Sequence, residues 1–226
     1  MTASKKSTSM ELAYEKIMAK ILAGQLCPGT PLREEHLADE FGLSATPVRE
    51  AFRRLEYEGW VQSRPYQGSF IRRFSQEEID ELFQLREMLE GMAAASAARN
   101  GTPEELENIR LALEAEKQYL PGSDKNLPPG NTSSTFYADL DFHSAIAAAS
   151  HNQLLQVRLK MLKGQLTLAF VQNSSRTGPL TEQPRVYEEH AMICSAICRR
   201  WDDIAENIMR RHISDARKKR RPSHSE

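Results

Sequence analysis

Apolar residues first recur at helical spacing between Glu11 and Leu22, where Leu12, Ile17, Met18, Ile21 and Leu22 fall near one face and Gly24 closes the run. Cys27-Pro28-Gly29-Thr30-Pro31 is a turn by composition, because proline fixes φ and glycine permits positive φ. A second, shorter helix is predicted from Arg33 to Phe41, with Leu37, Ala38 and Phe41 turned inward and Gly42 breaking it. A third begins at Ser44, whose hydroxyl offers an acceptor to the free amides of the first turn. It carries Pro47 in that turn and runs to about Glu58. Its apolar stripe of Val48, Ala51, Phe52 and Leu55 leaves Thr46, Arg49 and Arg53 pointing away from the core. Gly59 ends it, and Trp60-Val61-Gln62 and Ser69-Phe70-Ile71-Arg72 read as two short strands flanking Arg64-Pro65-Tyr66-Gln67-Gly68. Helix, turn, helix, glycine turn, helix and hairpin together describe a winged helix-turn-helix.

After Phe74 the pattern is helical throughout, with stripes in Ile79–Arg99, Pro103–Leu120, Thr135–Ser150, Gln153–Val171, Pro184–Arg200 and Asp202–Lys218. The interruption from Pro121 to Ser134, rich in Pro, Gly, Ser and Asn, reads as a loop between helices. The predicted fold is therefore mostly α. A winged helix-turn-helix occupies residues 1–74, and an all-helical bundle occupies 75–226.

Composition adds boundaries. The 226 residues suffice for two modest domains with cores of their own. Three cysteines without framework spacing indicate a reducing compartment. No apolar run approaches the roughly 18 residues of a membrane span, and Met1 to Ser9 lacks the apolar stretch of a secretory signal, so a cytoplasmic location without a membrane partner is expected. The net charge of −1 averages over parts of opposite character. Between Arg49 and Arg73 the cations are Arg49, Arg53, Arg54, Arg64, Arg72 and Arg73 against Glu50, Glu56 and Glu58. Arginine is the residue suited to phosphate and guanine contacts.

A helix entering the major groove needs exposed hydrogen-bonding side chains near its N-terminus and a second helix to brace it. Thr46 and Arg49 lie one turn apart there, with Arg53 a turn further on, which assigns Arg49 to bases and Arg53 to phosphate. The expected DNA-contacting set is Arg33, Ser44, Thr46, Arg49, Arg53, Arg64, Gln67 and Gly68. The competing view, that the arginines form only a solvated helix face, is weakened by the ordered series of elements around them.

In the second half, polar residues interrupt apolar stripes. Asp139 and His143 share a face with Phe142 and Ile146, His190 lies on the stripe of Val186, Ile193 and Ile197, and His212 sits beside Ile208, Met209 and Ala216. Burying such groups without partners costs on the order of 2 to 7 kcal/mol. Each alone reads as a satisfied core residue. Together they form an Asp-His-His-His set able to hold a divalent transition metal, zinc first, with nickel, iron or manganese also compatible. Cys194 and Cys198, one turn apart and one turn beyond His190, are better read as small apolar residues than as a thiolate site.

The chain resembles the GntR family of bacterial regulators. The resemblance rests on Cys27-Pro28-Gly29-Thr30-Pro31-Leu32, the run from Leu37 to Ala51, Leu55-Glu56-Tyr57-Glu58-Gly59-Trp60-Val61 and Gln67-Gly68-Ser69-Phe70-Ile71. It departs at Ala45, where the family usually places a DNA-contacting arginine, which shifts recognition onto Arg49 and the wing or implies a different operator. From about Glu77 to Ala216 it is similar to the FCD ligand-binding domain of the FadR-type subfamily. The matching stretches are Leu85 to Glu90, Asp139 to His143, Ser150 to Leu155, Glu189 to Ile197 and Arg211-His212. The resemblance implies metal ligation by Asp139, His143, His190 and His212 and a small organic acid as effector. It also implies a homodimer on a double-stranded operator, with repression the commoner sign. Arg86 is then either a clamp on the effector or an ordinary salt-bridge partner of Glu87, Glu90 or a later acid, and Arg176 is a second effector candidate. Two other readings compete: a metal that is structural or itself sensed, and a metal-dependent hydrolase, disfavoured because HExxH and an evident general base are missing.

Overall fold

A computed structural model describes residues 8–120, 132–173 and 183–220. These divide into two compact units, Met1–Ser75 with Gly164–Thr177, and Gln76–Lys163 with Gly178–Glu226.

The first unit opens with α1 (Ser9–Leu22), started by a capping box in which Thr8 Oγ1 accepts from the Glu11 amide while the Glu11 carboxylate accepts from the Thr8 amide. Its buried face is Ala13, Ile17 and Ile21, and it packs on α3. The expected stripe included Leu12 and Leu22, which remain substantially exposed because the face against α3 runs through Ala13 instead. Helix α2 (Glu34–Phe41) ends at Gly42, whose φ of 67° places it in the left-handed region that favours glycine. Helix α3 (Ala45–Tyr57) buries the predicted Val48, Ala51, Phe52 and Leu55. Ser44 stands at its N-cap in extended conformation but makes no capping hydrogen bond, contrary to the expected role of its hydroxyl.

Strands β2 (Val61–Arg64) and β3 (Gly68–Ile71) pair antiparallel with Val61 opposite Ile71 and Arg64 opposite Gly68. A further strand, β1 (Pro31–Leu32), pairs with the free edge of β3, giving the order β1-β3-β2. Two residues cannot display alternation, and Pro31 is tolerated because it lies on an edge strand. In the same unit the Gln172 amide accepts from the Phe74 N–H at 2.9 Å and donates to its carbonyl at 2.7 Å.

The second unit is all-helical among its described residues. It comprises α4 (Gln76–Asn100), α5 (Pro103–Glu116) followed by a short 3₁₀ turn, α6 (Thr132–Ala149), the first half of α7 (Gln153–Asn173), α8 (Gln183–Cys198) and α9 (Asp202–Arg220). Residues 121–131 of the expected loop lie outside the described residues, and α6 begins inside its predicted C-terminal end. Helix α4 packs chiefly on α9 and α6. Gly91 and the buried Ala93, Ala94, Ala95, Ala97 and Ala98 keep its surface low, and a Cβ at Gly91 would lie 2.5 Å from the Arg210 side chain. Close helix packing of this kind places α4, α5, α6, α8 and α9 around one interior, where the polar interruptions of their stripes meet.

Candidate functional site

All eight residues expected at DNA, namely Arg33, Ser44, Thr46, Arg49, Arg53, Arg64, Gln67 and Gly68, are exposed. Arg49 is not free, because its Nε donates to Oε2 of Glu34 on α2 at 2.8 Å. Arg54 has a different task. Its Nε donates to Glu58, its guanidinium lies 4.1 Å over the Tyr14 ring, and the Tyr14 hydroxyl donates to Glu58 at 2.6 Å, so it ties α3 to α1. Burial, then the Glu58 carboxylate, raises the Tyr14 pKa and keeps the phenol protonated. At the wing Arg64 covers the Phe70 ring at 5.0 Å, and the turn between the strands holds Tyr66 and Gly68 at φ of 61° and 90°. The absent Cβ at Gly68 leaves open space above the turn.

The helices also bring the second predicted set together. Asp139 and His143 project from α6, His190 from α8 and His212 from α9, and one donor atom of each lies within 4.8 Å of all the others. Nε2 of His190 is 3.2 Å from Nε2 of His212 and 3.6 Å from Oδ1 of Asp139. His143 Nε2 is 3.9 Å from the same oxygen. The three imidazoles are buried, whereas a quarter of the Asp139 side chain is exposed. Phe142 stacks on His190 with ring centroids 4.4 Å apart and forms an apolar wall.

Three glutamates that sequence reasoning did not assign to this cluster contact its histidines. Glu90 of α4 pairs with His143 Nδ1, Glu116 of α5 approaches His190 Nδ1 at 2.8 Å, and Glu189 of α8 approaches His212 Nδ1 at 2.7 Å. A signal for two of them existed. Glu90 continues the buried series Ile79, Phe83 and Arg86, and Glu116 continues Leu106, Ile109 and Leu113, so each acid occupies a core position of its own stripe.

Electrostatics follow from this crowding. Burial opposes the charge of Arg86, yet Glu90 and Asp139 outweigh it and raise its pKa further. Burial likewise acts against ionised Glu90, but Arg86 and His143 bring it down to about 2. The His212 hydrogen bond is the main reason that Glu189 falls to about 2. Burial, reinforced by neighbouring imidazoles, lowers His190 to about 3 and His212 to about 4, which keeps both rings neutral and suited to ligation. Burial and the Asp139 charge push Glu116 up to about 8, and a cation at the centre acts in the opposite sense.

The donor set fits a divalent transition metal by its chemistry, and the buried Nε2 of His143 lacks a hydrogen-bond partner among the described residues, as do His143 Nδ1, Glu90 Oε2 and Arg86 Nη2 around it. Arg86 is an ion-pair partner of two acids. Its Nε donates to Glu90 at 2.6 Å, and its Nη2 stands 3.6 Å from Oδ2 of Asp139. Arg176 lies outside the described residues. Asp141 turns away, with its carboxylate on Lys163. Burial and the neighbouring Cys198 push the Cys194 thiol up to about 12, which disfavours a thiolate ligand there.

A winged helix-turn-helix with an exposed arginine face, joined in one chain to a helical unit enclosing a polar cluster, defines a class of DNA-binding regulators. Two family matches cover most of the chain: bacterial regulatory proteins of the gntR family over residues 10–71, and the FCD domain over residues 81–215. The chain belongs to the GntR family of transcriptional regulators and carries an FCD domain. It is 30% identical over 198 residues to a probable D-xylose utilization operon transcriptional repressor of Paenarthrobacter nicotinovorans, a match covering 88% of this chain and 82% of that protein. It is 28% identical over 214 residues to the regulator LutR of Bacillus subtilis, covering 85% and 92%. The Escherichia coli structure McbR/YncC shares the fold with a TM-score of 0.75 at 22% identity, over 92% of this chain and 95% of that one. A family of transcriptional regulators sets aside the hydrolase weighed above. Among the described residues no helix is long and apolar enough to cross a membrane.

Proposed function

We propose that the protein is a repressor whose hold on its operator is controlled by a small carboxylate metabolite bound at a divalent transition metal. Asp139, His143, His190 and His212 would hold the metal, zinc first among the candidates. The observation that carries this reading is the convergence of one carboxylate and three imidazole nitrogens within 4.8 Å, beside the Arg86 guanidinium whose Nη2 is ion-paired to Asp139. The metal would supply Lewis acidity and open coordination positions for a carboxylate oxygen. Arg86 presents a charged donor for a second oxygen, and the exposed quarter of Asp139 marks the side from which a small anion reaches the centre.

Two copies of the chain would present two α3 helices to the half-sites of a pseudo-palindromic operator. Arg49 would read base edges, Thr46 and Ser44 would assist it, Arg33 and Arg53 would take phosphates, and Arg64, Gln67 and Gly68 would approach from the wing. The effector shifts DNA affinity only as far as it binds one arrangement of the dimer better than the other. Repression is favoured because the relative of P. nicotinovorans is described as a probable transcriptional repressor.

The test uses duplex DNA selected by the protein itself from a random pool. Fluorescence anisotropy is then followed with chelator, with Zn²⁺ alone, and with Zn²⁺ plus a panel of hydroxy and dicarboxylic acids. A response that needs both metal and acid supports the proposal. A response to Zn²⁺ alone assigns the site to metal sensing, and indifference to every acid leaves the metal a structural role.

A further inference from the structure

The hydrogen bonds of the cluster carry information beyond its ligand set. We infer that Glu90, Glu116 and Glu189 are positioning residues for the cation: each holds one imidazole by Nδ1 and fixes Nε2 as the atom presented to the ion. This rests on reading Asp139, His143, His190 and His212 as the metal site.

With a cation at the centre the facing carboxylates are ionised and only accept hydrogen bonds, so the imidazole nitrogen facing each one carries the proton and the other nitrogen carries the lone pair. Glu116 brings both oxygens within 2.9 Å of His190 Nδ1, and Glu189 brings one to 2.7 Å from His212 Nδ1. The two remaining Nε2 atoms, 3.2 Å apart, are then the lone-pair atoms that face the ion. Glu90 faces His143 Nδ1 in the same way, as an ion-pair contact, and neither ring nitrogen of His143 has a hydrogen-bond partner among the described residues. The three glutamates come from α4, α5 and α8, so no single local motif produces the pattern. None of them belongs to the donor group that a single ion would engage. Such outer carboxylates orient a ligating ring and raise its basicity, and their loss weakens metal affinity by about 10- to 100-fold.

The experiment measures Zn²⁺ affinity of the full chain, stripped with chelator, by competition with a chromophoric chelator, and records the visible spectrum of the Co²⁺ form. Glu116→Ala and Glu189→Ala are compared with Glu116→Gln and Glu189→Gln, whose amide oxygen still accepts from Nδ1–H. Glu90 is left intact because it also pairs with Arg86. Alanine is expected to weaken Zn²⁺ binding about 10- to 100-fold and to alter the Co²⁺ bands, with glutamine restoring part of the affinity. Thermal unfolding of the metal-free variants shows that each is folded, and Glu189, only partly buried, provides the case least affected by core damage. Wild-type Zn²⁺ affinity and Co²⁺ spectrum in both alanine variants would overturn the positioning role while leaving the metal site standing. If His190→Ala binds Zn²⁺ as tightly as the wild type, the metal reading itself fails, and this proposal with it.

Discussion

Arg49 on α3 and Glu34 on α2 are joined by an Nε to Oε2 hydrogen bond of 2.8 Å, which leaves both Nη groups of the arginine without a hydrogen bond. Both side chains are partly exposed, so the pair adds little stability, of the order of 0.2 to 1 kcal/mol. Its consequence is geometric: the pair holds in place the fork that, on the proposed function, would meet guanine O6 and N7. Arg49→Ala is expected to cost roughly 1 to 3 kcal/mol against the selected operator and little against unrelated duplex. Glu34→Ala should lower the ratio of specific to non-specific affinity by a smaller factor. Anisotropy on both DNAs checks each, and a uniform loss on both would reassign Arg49 to phosphate.

Ala45 lies in the first turn of α3, at the position where the resemblance to the GntR family leads to the expectation of an arginine. Ala45→Arg adds one cation at the surface facing DNA. The slope of log affinity against log salt should steepen by about 0.9 for one added phosphate contact. An unchanged slope between low and moderate salt would show that residue 45 does not face the backbone.

Zinc should stabilise the protein as a ligand of the native state, by about 2.7 kcal/mol at a free concentration 100 times its Kd. Thermal unfolding with Zn²⁺ and with chelator measures this. The difference is expected to vanish in His190→Ala, because that ring is fully buried and contributes the central nitrogen.

Arg86 stands between two carboxylates in the interior, so its removal leaves Glu90 and Asp139 without their cation. Arg86→Met is expected to destabilise by roughly 3 to 5 kcal/mol, as for other broken buried ion pairs. Arg86→Lys keeps the charge but not the fork, and should retain most stability and Zn²⁺ binding while losing the response to carboxylic acids. Denaturant titration and operator release by the active acid are the two measurements.

Tyr14→Phe deletes the 2.6 Å bond to Glu58 and leaves Arg54 in place against the ring. A loss of about 1.5 to 3 kcal/mol is expected from a hydrogen bond to a charged acceptor. Operator affinity at temperatures well below unfolding should be unaltered, since the clamp lies on the side of α3 that faces α1.

The legible parts of the sequence were those with a local cause. Helix α3 is defined by the spacing of Val48, Ala51, Phe52 and Leu55, and its N-terminal arginine face follows from that stripe. Gly42 stops α2 through its own backbone. Strand β1 escaped because two residues show no periodicity and exist as a strand only by pairing with β3. Ser44 was given a cap that the structure does not form, since a serine in extended conformation can turn its hydroxyl elsewhere.

The four candidate ligands were legible as polar interruptions of apolar stripes, because an uncompensated buried imidazole or carboxylate is costly wherever it occurs. Their arrangement was not. Asp139 and His143 are linked by one turn of helix, but His190 and His212 reach the same point only because α6, α8 and α9 pack around a common interior. Glu116 and His190 are 74 positions apart, and no periodicity within either helix encodes which acid meets which ring. The sequence by itself determined the elements, their buried faces and the kinds of side chain on them, since these depend on neighbours within a turn or two. Tertiary packing alone decided the pairings and the direction in which the ring nitrogens point, because those are properties of distances between helices.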